Sequence, residues 1–585
     1  SSIKSMNLPE ECWESICKII DEDDYRFLES VSLVSTSFLS ITNRVRSTLI
    51  ITDRTVPFLH RYLLRFPKLK RIRFYDMHKD IDSVLLQLSL SGLDLESLDL
   101  SGMPYFPDFG KFGMEKMMSN VKELNCSRAS DLQESDLVSI GVCFPSLQEL
   151  DISYPDSHQS SVFDSGIISL SSNLKGLLKI NVSGNNLITD KSLLSLSQNC
   201  VLLREIIFRD CDFISSHCIE SVLRNSRNLV SVAINGIGWR PRESFSDDAF
   251  VYARCLSELD LSGSFLSDEL LRLIGDAKFP LKKLLLPNCV SLTFDGILNV
   301  LSKYQTLVHL NLEGSSFLSD EMIVELLKFL GHLIYVNLSF CAKLTGLAFF
   351  NIIEACVSIK SMRMEGTNFG VEEYSKELNI KSGIKTLYIS GSHNLSDKCL
   401  EKISRHCPFV ETLDVAQCPG VTTDGILEVL RNCGELTSLN ISGCSGISCL
   451  GAVDFELPKL ESLRACGTSI DDESLHMISK RCRGLLHLDL EGCLNVRSRG
   501  VKEVVQSCMR LREINLNYCE ADGGIFIWMV CANPSLRKIV PPCGFSPTRK
   551  LKNFLLRHGC VLYQTSFDLL SIAYHPNRRD GDNIE

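Results

Sequence analysis

The sequence contains no C-x-x-C pair, no Cys/His cluster at zinc spacing, and no G-x-S-x-G, Walker, H-E-x-x-H or dinucleotide fingerprint. No catalytic residue and no metal ligand is therefore assigned, and an enzyme is not expected. No apolar run reaches membrane-spanning length, and no charged-then-apolar segment opens the chain as a secretion signal would. An excess of positive charge is also missing. The formal charge of −10 and the pI near 5.7 argue against nucleic acid or an anionic membrane as the main partner. The chain opens at Ser1 rather than at a methionine, which leaves its native N-terminus open.

What is abundant is repetition. A core of the form apolar-x-x-apolar-x-apolar recurs from LKRIRF at Leu69 and LESLDL at Leu95, through LVHLNL at Leu307, to LREINL at Leu511, with a truncated LRKIV at Leu536. Successive copies start about 26 residues apart, the period of a leucine-rich repeat. Alternation within the core suits a short parallel strand. A helix-start signal follows: Thr189-Asp190, Ser267-Asp268, Ser319-Asp320, Ser396-Asp397 and Thr423-Asp424. The hydroxyl can cap exposed backbone N–H groups, and the Asp sits near the positive end of the helix dipole. One such unit cannot bury its apolar face alone, so neighbours must stack. The expected fold is α/β, a curved horseshoe of about 18 repeats over residues 51–540, parallel strands concave and helices convex. Residues 541–585, opening with Pro541-Pro542, lose the repeat and are expected to form a C-terminal cap, through Phe554, Leu555, Leu556, Val561 and Leu562, and a tail.

The 25 cysteines follow the same register. Cys211, Cys289, Cys341, Cys418, Cys444, Cys493 and Cys519 fall just after the strand, and Cys200, Cys356, Cys407, Cys433, Cys482 and Cys508 close the helix. Small buried thiols that pack like hydrophobes explain this spacing better than redox or metal chemistry. A reducing compartment, nucleus and/or cytoplasm, is expected.

Residues 5–50 do not fit the repeat. Asn7-Leu8-Pro9-Glu10-Glu11 reads as a helix start, and Trp13, Ile16, Cys17 and Ile20 then fall on one helical face. A second helical stretch carries Leu28, Val31, Val34, Phe38, Ile41 and Val45. So short a segment cannot bury both faces and should dock on something.

Leu8-Pro9-Glu10-Glu11, the spaced Ile16 and Ile20, and Val31-Ser32-Leu33-Val34-Ser35-Thr36-Ser37-Phe38 resemble an F-box, and the repeats resemble the cysteine-containing subclass that follows it in F-box/leucine-rich-repeat proteins. Ser35 and Thr36 depart from the usual Cys and Lys. The resemblance implies an all-α box that binds a Skp-type adaptor through Leu8, Pro9, Ile16, Ile20, Val31, Val34 and Phe38. It further implies a cullin scaffold behind the adaptor and a protein substrate on the repeats, the chain being the substrate-recognition subunit of a Skp–cullin–F-box ubiquitin ligase. Size and repeat number are similar to the plant auxin and jasmonate receptor F-box proteins, as is Arg65-Phe66-Pro67-Lys68-Leu69. Those receptors seat an inositol phosphate in a ring of cations; here the outward strand positions offer only scattered ones, such as Lys283, Arg363 and Arg464, so no cofactor is expected. A hormone-type gated receptor and a repeat scaffold that has lost ubiquitylation are the alternatives.

The outward strand positions also map candidate contacts. Arg71 and Arg73 precede an acidic run, Asp99, Glu123, Glu149 and Asp151. Ile207 and Leu285, then His309, Tyr335, Arg363 and Tyr388, give the apolar, aromatic and Arg character of binding hot spots. Trp239 and Arg240 add a Trp and a cation on one turn. Substrate contact is expected at these eight residues. The aromatic turn Met103-Pro104-Tyr105-Phe106-Pro107, with Phe109 and Phe112, is expected to fold back and plug the solenoid.

Overall fold

Short strands and ten-residue helices alternate along nearly the whole chain. The structure, a computed structural model, describes residues 8–24, 27–75, 77–78, 80–109, 118–156, 162–237, 245–370, 380–448 and 456–563. It separates into two compact units, Ser1–Leu292 and Thr293–Glu585.

The first unit opens with three helices, α1 (Glu10–Asp24), α2 (Phe27–Ser32) and α3 (Thr36–Val45). Pro9 starts α1: its carbonyl accepts from Cys12 N at 3.0 Å and Trp13 N at 3.3 Å, and Glu10 and Glu11 complement the first turn. Ser35 caps α3 by accepting from Phe38 N at 3.2 Å. Cys17, Leu28, Ile41 and Val45 form the buried centre of the three helices. Arg44 ties α3 to α1 through Glu14 at 2.8 Å and through Glu10. The buried Asp21 carboxylate then accepts from Ser47 N at 2.9 Å and from the Ser47 hydroxyl, which joins the helices to the first strand, β1 (Thr48–Ile51).

β1 lies ahead of the first copy legible in the sequence. It pairs in parallel with Arg71–Phe74, Leu49 opposite Ile72. That register puts Arg46 where Leu69 stands in the next repeat, its guanidinium 5.1 Å over the Phe66 ring. An arginine at the first apolar position hid the repeat. From β1 each strand of this unit pairs in parallel with its successor as far as Lys283–Leu285.

In the second unit the same parallel pairing runs from His309–Asn311 to Val561–Leu562. The repeat therefore continues past Val540, where the sequence reading ended it. Helix Arg549–Arg557 buries Leu555, as expected of a cap, but leaves Leu556 exposed, and Val561–Leu562 pairs with Lys538–Val540. Gly559 occupies the place of Leu536, so the apolar signature is again missing at its first position. Within each unit the middle strand residue is buried, Leu98, Leu310 and Leu413 among them. Its two neighbours on the opposite face are half-buried in these three strands, and range from exposed at Glu123 and Glu149 to buried at Asn337 and Asn515 elsewhere. This is a leucine-rich-repeat coil.

The helix-start signals do more than the dipole argument anticipates. Thr189, Ser267, Ser319 and Ser396 are N-caps; in the repeat signalled by Thr423-Asp424 the cap is Thr422, one residue earlier. The Asp of one helix's first turn reaches the cap of the next. Asp164 accepts from Thr189 N at 2.8 Å and Thr189 Oγ1 at 2.7 Å, Asp190 from Ser215 at 2.7 and 2.6 Å, Asp320 from Thr345 at 3.0 and 2.7 Å, and Asp397 from Thr422 at 2.8 and 2.6 Å. Each of these four repeats thereby holds its successor in register.

Removing one such acceptor strands two donors. Asp397→Ala is expected to cost about 2 kcal/mol, read as a lower urea midpoint, with Asp397→Asn costing less. The relay also predicts a pH dependence. Burial alone would raise the Asp164 carboxyl, but hydrogen bonds from Ser192 and Thr189 more than offset it and hold it below the ordinary range. A depressed carboxyl contributes stability fully above its unfolded value, about 3.9, and loses it as pH falls through the folded one. Melting temperature should fall below about pH 4 less steeply in Asp164→Asn than in the unchanged chain.

Candidate functional site

Part of the apolar surface of the helical head faces outward, on α1 and in the segments flanking the helices. Leu8, Ile16, Ile19, Leu33 and Val34 are 46, 38, 67, 77 and 67% exposed. Of the residues named from sequence, Leu8, Ile16 and Val34 thus face solvent, beside the exposed Pro9. Ile20 and Val31 do not stand out in the same way: they pack half-buried against Cys17, Leu28, Ile41 and Val45, so they support the face from beneath. Phe38 is half-buried, edge-to-face with Trp13 at 4.9 Å. Ile19 and Leu33 were missed: Ile19 is hidden beside Ile20 on α1, and Leu33 lies in the turn between α2 and α3, where helical periodicity assigns no face. Ser35, one of the two departures from the usual box, is accounted for by its capping bond. Burying a Leu, Ile or Val side chain gains about 1.5–3 kcal/mol, so these five residues offer a docking partner several kcal/mol.

The strand faces carry the second set. Ile207 and Leu285 are half-buried in the first unit. His309, Tyr335, Arg363 and Tyr388 lie on four successive strands of the second, His309 opposite Tyr335 and Arg363 opposite Tyr388. The His309 and Tyr335 rings stack at 5.8 Å. Arg363 lies 4.4 Å over the Tyr388 ring, with Nη2 2.8 Å from Glu365 Oε2. Trp239 and Arg240 lie outside the described residues, as does Phe112. The aromatic turn does fold back: Met103 and Phe109 are buried, and Phe109 meets Phe144 edge-to-face at 5.0 Å.

The register cysteines pack into the interior and also donate. Cys341 Sγ reaches Leu312 O at 3.3 Å, Cys444 reaches Val415 O at 3.1 Å and Cys519 reaches Leu490 O at 3.1 Å, each a carbonyl of the preceding repeat. At the helix ends Cys356 reaches Leu330 O at 3.2 Å and Cys508 reaches Cys482 O at 3.3 Å. Burial pushes the thiols of Cys341, Cys356, Cys433, Cys508 and Cys519 up to about 12. Such thiols stay protonated and are poor nucleophiles and ligands. Among the described residues no group of three His, Cys, Asp or Glu could hold a metal ion, and no helix is long and apolar enough to cross a membrane.

No family model matches the chain. Among curated proteins it is similar to F-box/LRR-repeat protein 4 of Bos taurus, 26% identical over 218 residues that cover 35% of this chain and 35% of that protein. It is also similar to BTB/POZ domain-containing protein FBL11 of Arabidopsis thaliana, 21% identical over 430 residues covering 66% of this chain and 44% of that one. The match thus spans less than half the length of either relative. Similar solved structures include the mouse RP105/MD-1 complex (18% identity, TM-score 0.48, covering 86% of this chain and 84% of that one). The yeast Rad7 and Elc1 complex is another (14%, TM-score 0.39, 75% and 85%). Likeness at these TM-scores adds nothing on function. The curated names and the repeat fold support an F-box/leucine-rich-repeat protein; they do not bear on the plant-type subclass.

Alkylation with iodoacetamide at pH 8 should separate the thiols. Cys12, Cys255, Cys531 and Cys543 are exposed and should react in the folded chain, whereas Cys341, Cys444 and Cys519 should react only after unfolding, read by mass spectrometry.

Proposed function

We propose that the chain is the substrate-recognition subunit of a Skp–cullin–F-box ubiquitin ligase of the nucleus or cytoplasm. The helical head, about residues 5–50, grips a Skp-type adaptor; the adaptor joins the cullin scaffold; the repeats present a protein substrate. The observation that carries this reading is the exposure of five aliphatic side chains, Ile16 and Ile19 on α1, Leu8 ahead of it, and Leu33 and Val34 in the turn between α2 and α3, around a helical centre already closed by Cys17, Leu28, Ile41 and Val45. A segment serving only to cap the repeats would turn a polar face to water. The curated relatives' names agree with the assignment. On this reading the chain makes and breaks no bonds itself. It contributes placement, and the protonated thiols fit that part.

Pull-down with a recombinant Skp-type adaptor tests the proposal. Ile16→Asp and Val34→Asp should each weaken capture by at least about tenfold and, being exposed, shift the melting temperature little. Cys17→Asp places a charge in the helical centre and should instead unfold the head. Undiminished capture by both surface variants would overturn the assignment.

A further inference from the structure

The two units satisfy their strand-face carboxylates differently. In the first, cations meet the acids across the strands: Arg73 meets Asp99 at 3.2 Å, Lys179 meets Glu205 at 3.1 Å, Lys283 meets Glu258 at 3.7 Å, and Arg209 meets Asp260. In the second, neutral donors mostly take that place, as Asn181 Nδ2 does for Asp151 at 3.1 Å in the first. Glu313 accepts from Asn337 Nδ2 at 2.9 Å, Asp414 from Asn440 Nδ2 at 2.9 Å, and Glu491 from Asn515 Nδ2 at 3.1 Å and Asn517 Nδ2 at 3.2 Å. Asp489 accepts from Glu491 N at 3.2 Å. Among the described residues none of these four carboxylates is in ion-pair contact with Lys, Arg or His. Burial raises the Asp414 and Asp489 carboxyls, and Arg464, on the strand between Asn440 and Asp489, opposes that rise at both without an ion-pair contact.

The same face shows how a guanidinium can sit on it. Arg363 rests on the Tyr388 ring with Nε and Nη2 at 3.1 and 2.8 Å from Glu365 Oε2, an aromatic floor with a carboxylate beside it. The His309–Tyr335 pair offers a second aromatic surface further along the sheet. From Ser361 the first outward position of the paired strands reads Ser361, Thr386, Thr412, Ser438 and Ser462, so short hydroxyl side chains leave the sheet low between Tyr335 and His487.

We propose that this face receives an extended, net-basic segment of a protein partner, its Lys or Arg side chains meeting Asp414, Asp489 and Glu491 and the Tyr335 ring. The inference rests on the substrate-receptor reading and adds the chemistry of what is received. Spacing agrees with it. Asp414 and Asp489 are three strands apart, about 14 Å at ~4.8 Å per strand, which four residues of extended chain span with side chains on one side. An acidic or phosphorylated segment would meet the same three carboxylates at a Coulombic penalty.

Fluorescence anisotropy on the full chain tests this with a labelled peptide of alternating Gly and Arg, and a second with Glu in place of Arg. The Arg peptide should bind, and bind more weakly at higher salt. The isosteric Asp414→Asn/Asp489→Asn/Glu491→Gln variant should lose at least about tenfold in affinity. Glu123→Gln/Glu149→Gln, which removes charge from the first unit's strand face, should leave it within about twofold. The proposal is overturned if the Arg peptide fails to bind, if the triple variant binds it unchanged, if both variants weaken it equally, or if the Glu peptide binds more tightly. Adaptor capture is measured on the same preparations. Capture without any Arg-peptide response sinks this inference alone; a peptide response without capture sinks the ligase reading and leaves the chemistry of the face standing.

Discussion

A three-residue strand and a ten-residue helix cannot satisfy their own polar groups, and in this chain each repeat closes on its neighbour. Strand amides pair across the sheet, the first-turn Asp of one helix holds the cap of the next, and the register thiols donate to carbonyls one repeat back. These bonds are directional, so they fix register where leucine packing alone would allow sliding. They also explain why residues as unlike as Asp397, Cys444 and Leu439 recur on one period. All three answer to the distance between neighbouring repeats.

The helical head obeys the same constraint at one end and escapes it at the other. Through Asp21 and Ser47 it is tied to the first strand, and through Arg44 its helices are tied together. Its outer side has no repeat to close on. The apolar residues left there are the reason to look for a partner.

Much of this was legible in the sequence because leucine-rich repeats state their packing residue by residue. Period, strand positions, most helix caps and the burial of Met103 and Phe109 followed from the pattern. The first and last strands did not, because Arg46 and Gly559 stand where the pattern requires an aliphatic side chain. On the head, periodicity found two helical stretches where there are three helices, because the second breaks at Leu33–Ser35, and it could not sort Ile19 from Ile20, since inward and outward there depend on where the three helices meet. The Asp relay was invisible for a related reason: one strand of sequence shows a helix its own cap and not the carboxylate 25 residues earlier that holds it.

Hydrogen exchange on the full chain, with and without a Skp-type adaptor, bears most directly on the central claim that the head is a docking element and the repeats are left free to receive something else. Added adaptor should slow exchange in α1 through α3 and leave the strands beyond Arg71 as they were. Exchange unchanged across the three helices, or slowed only within the repeats, would contradict it.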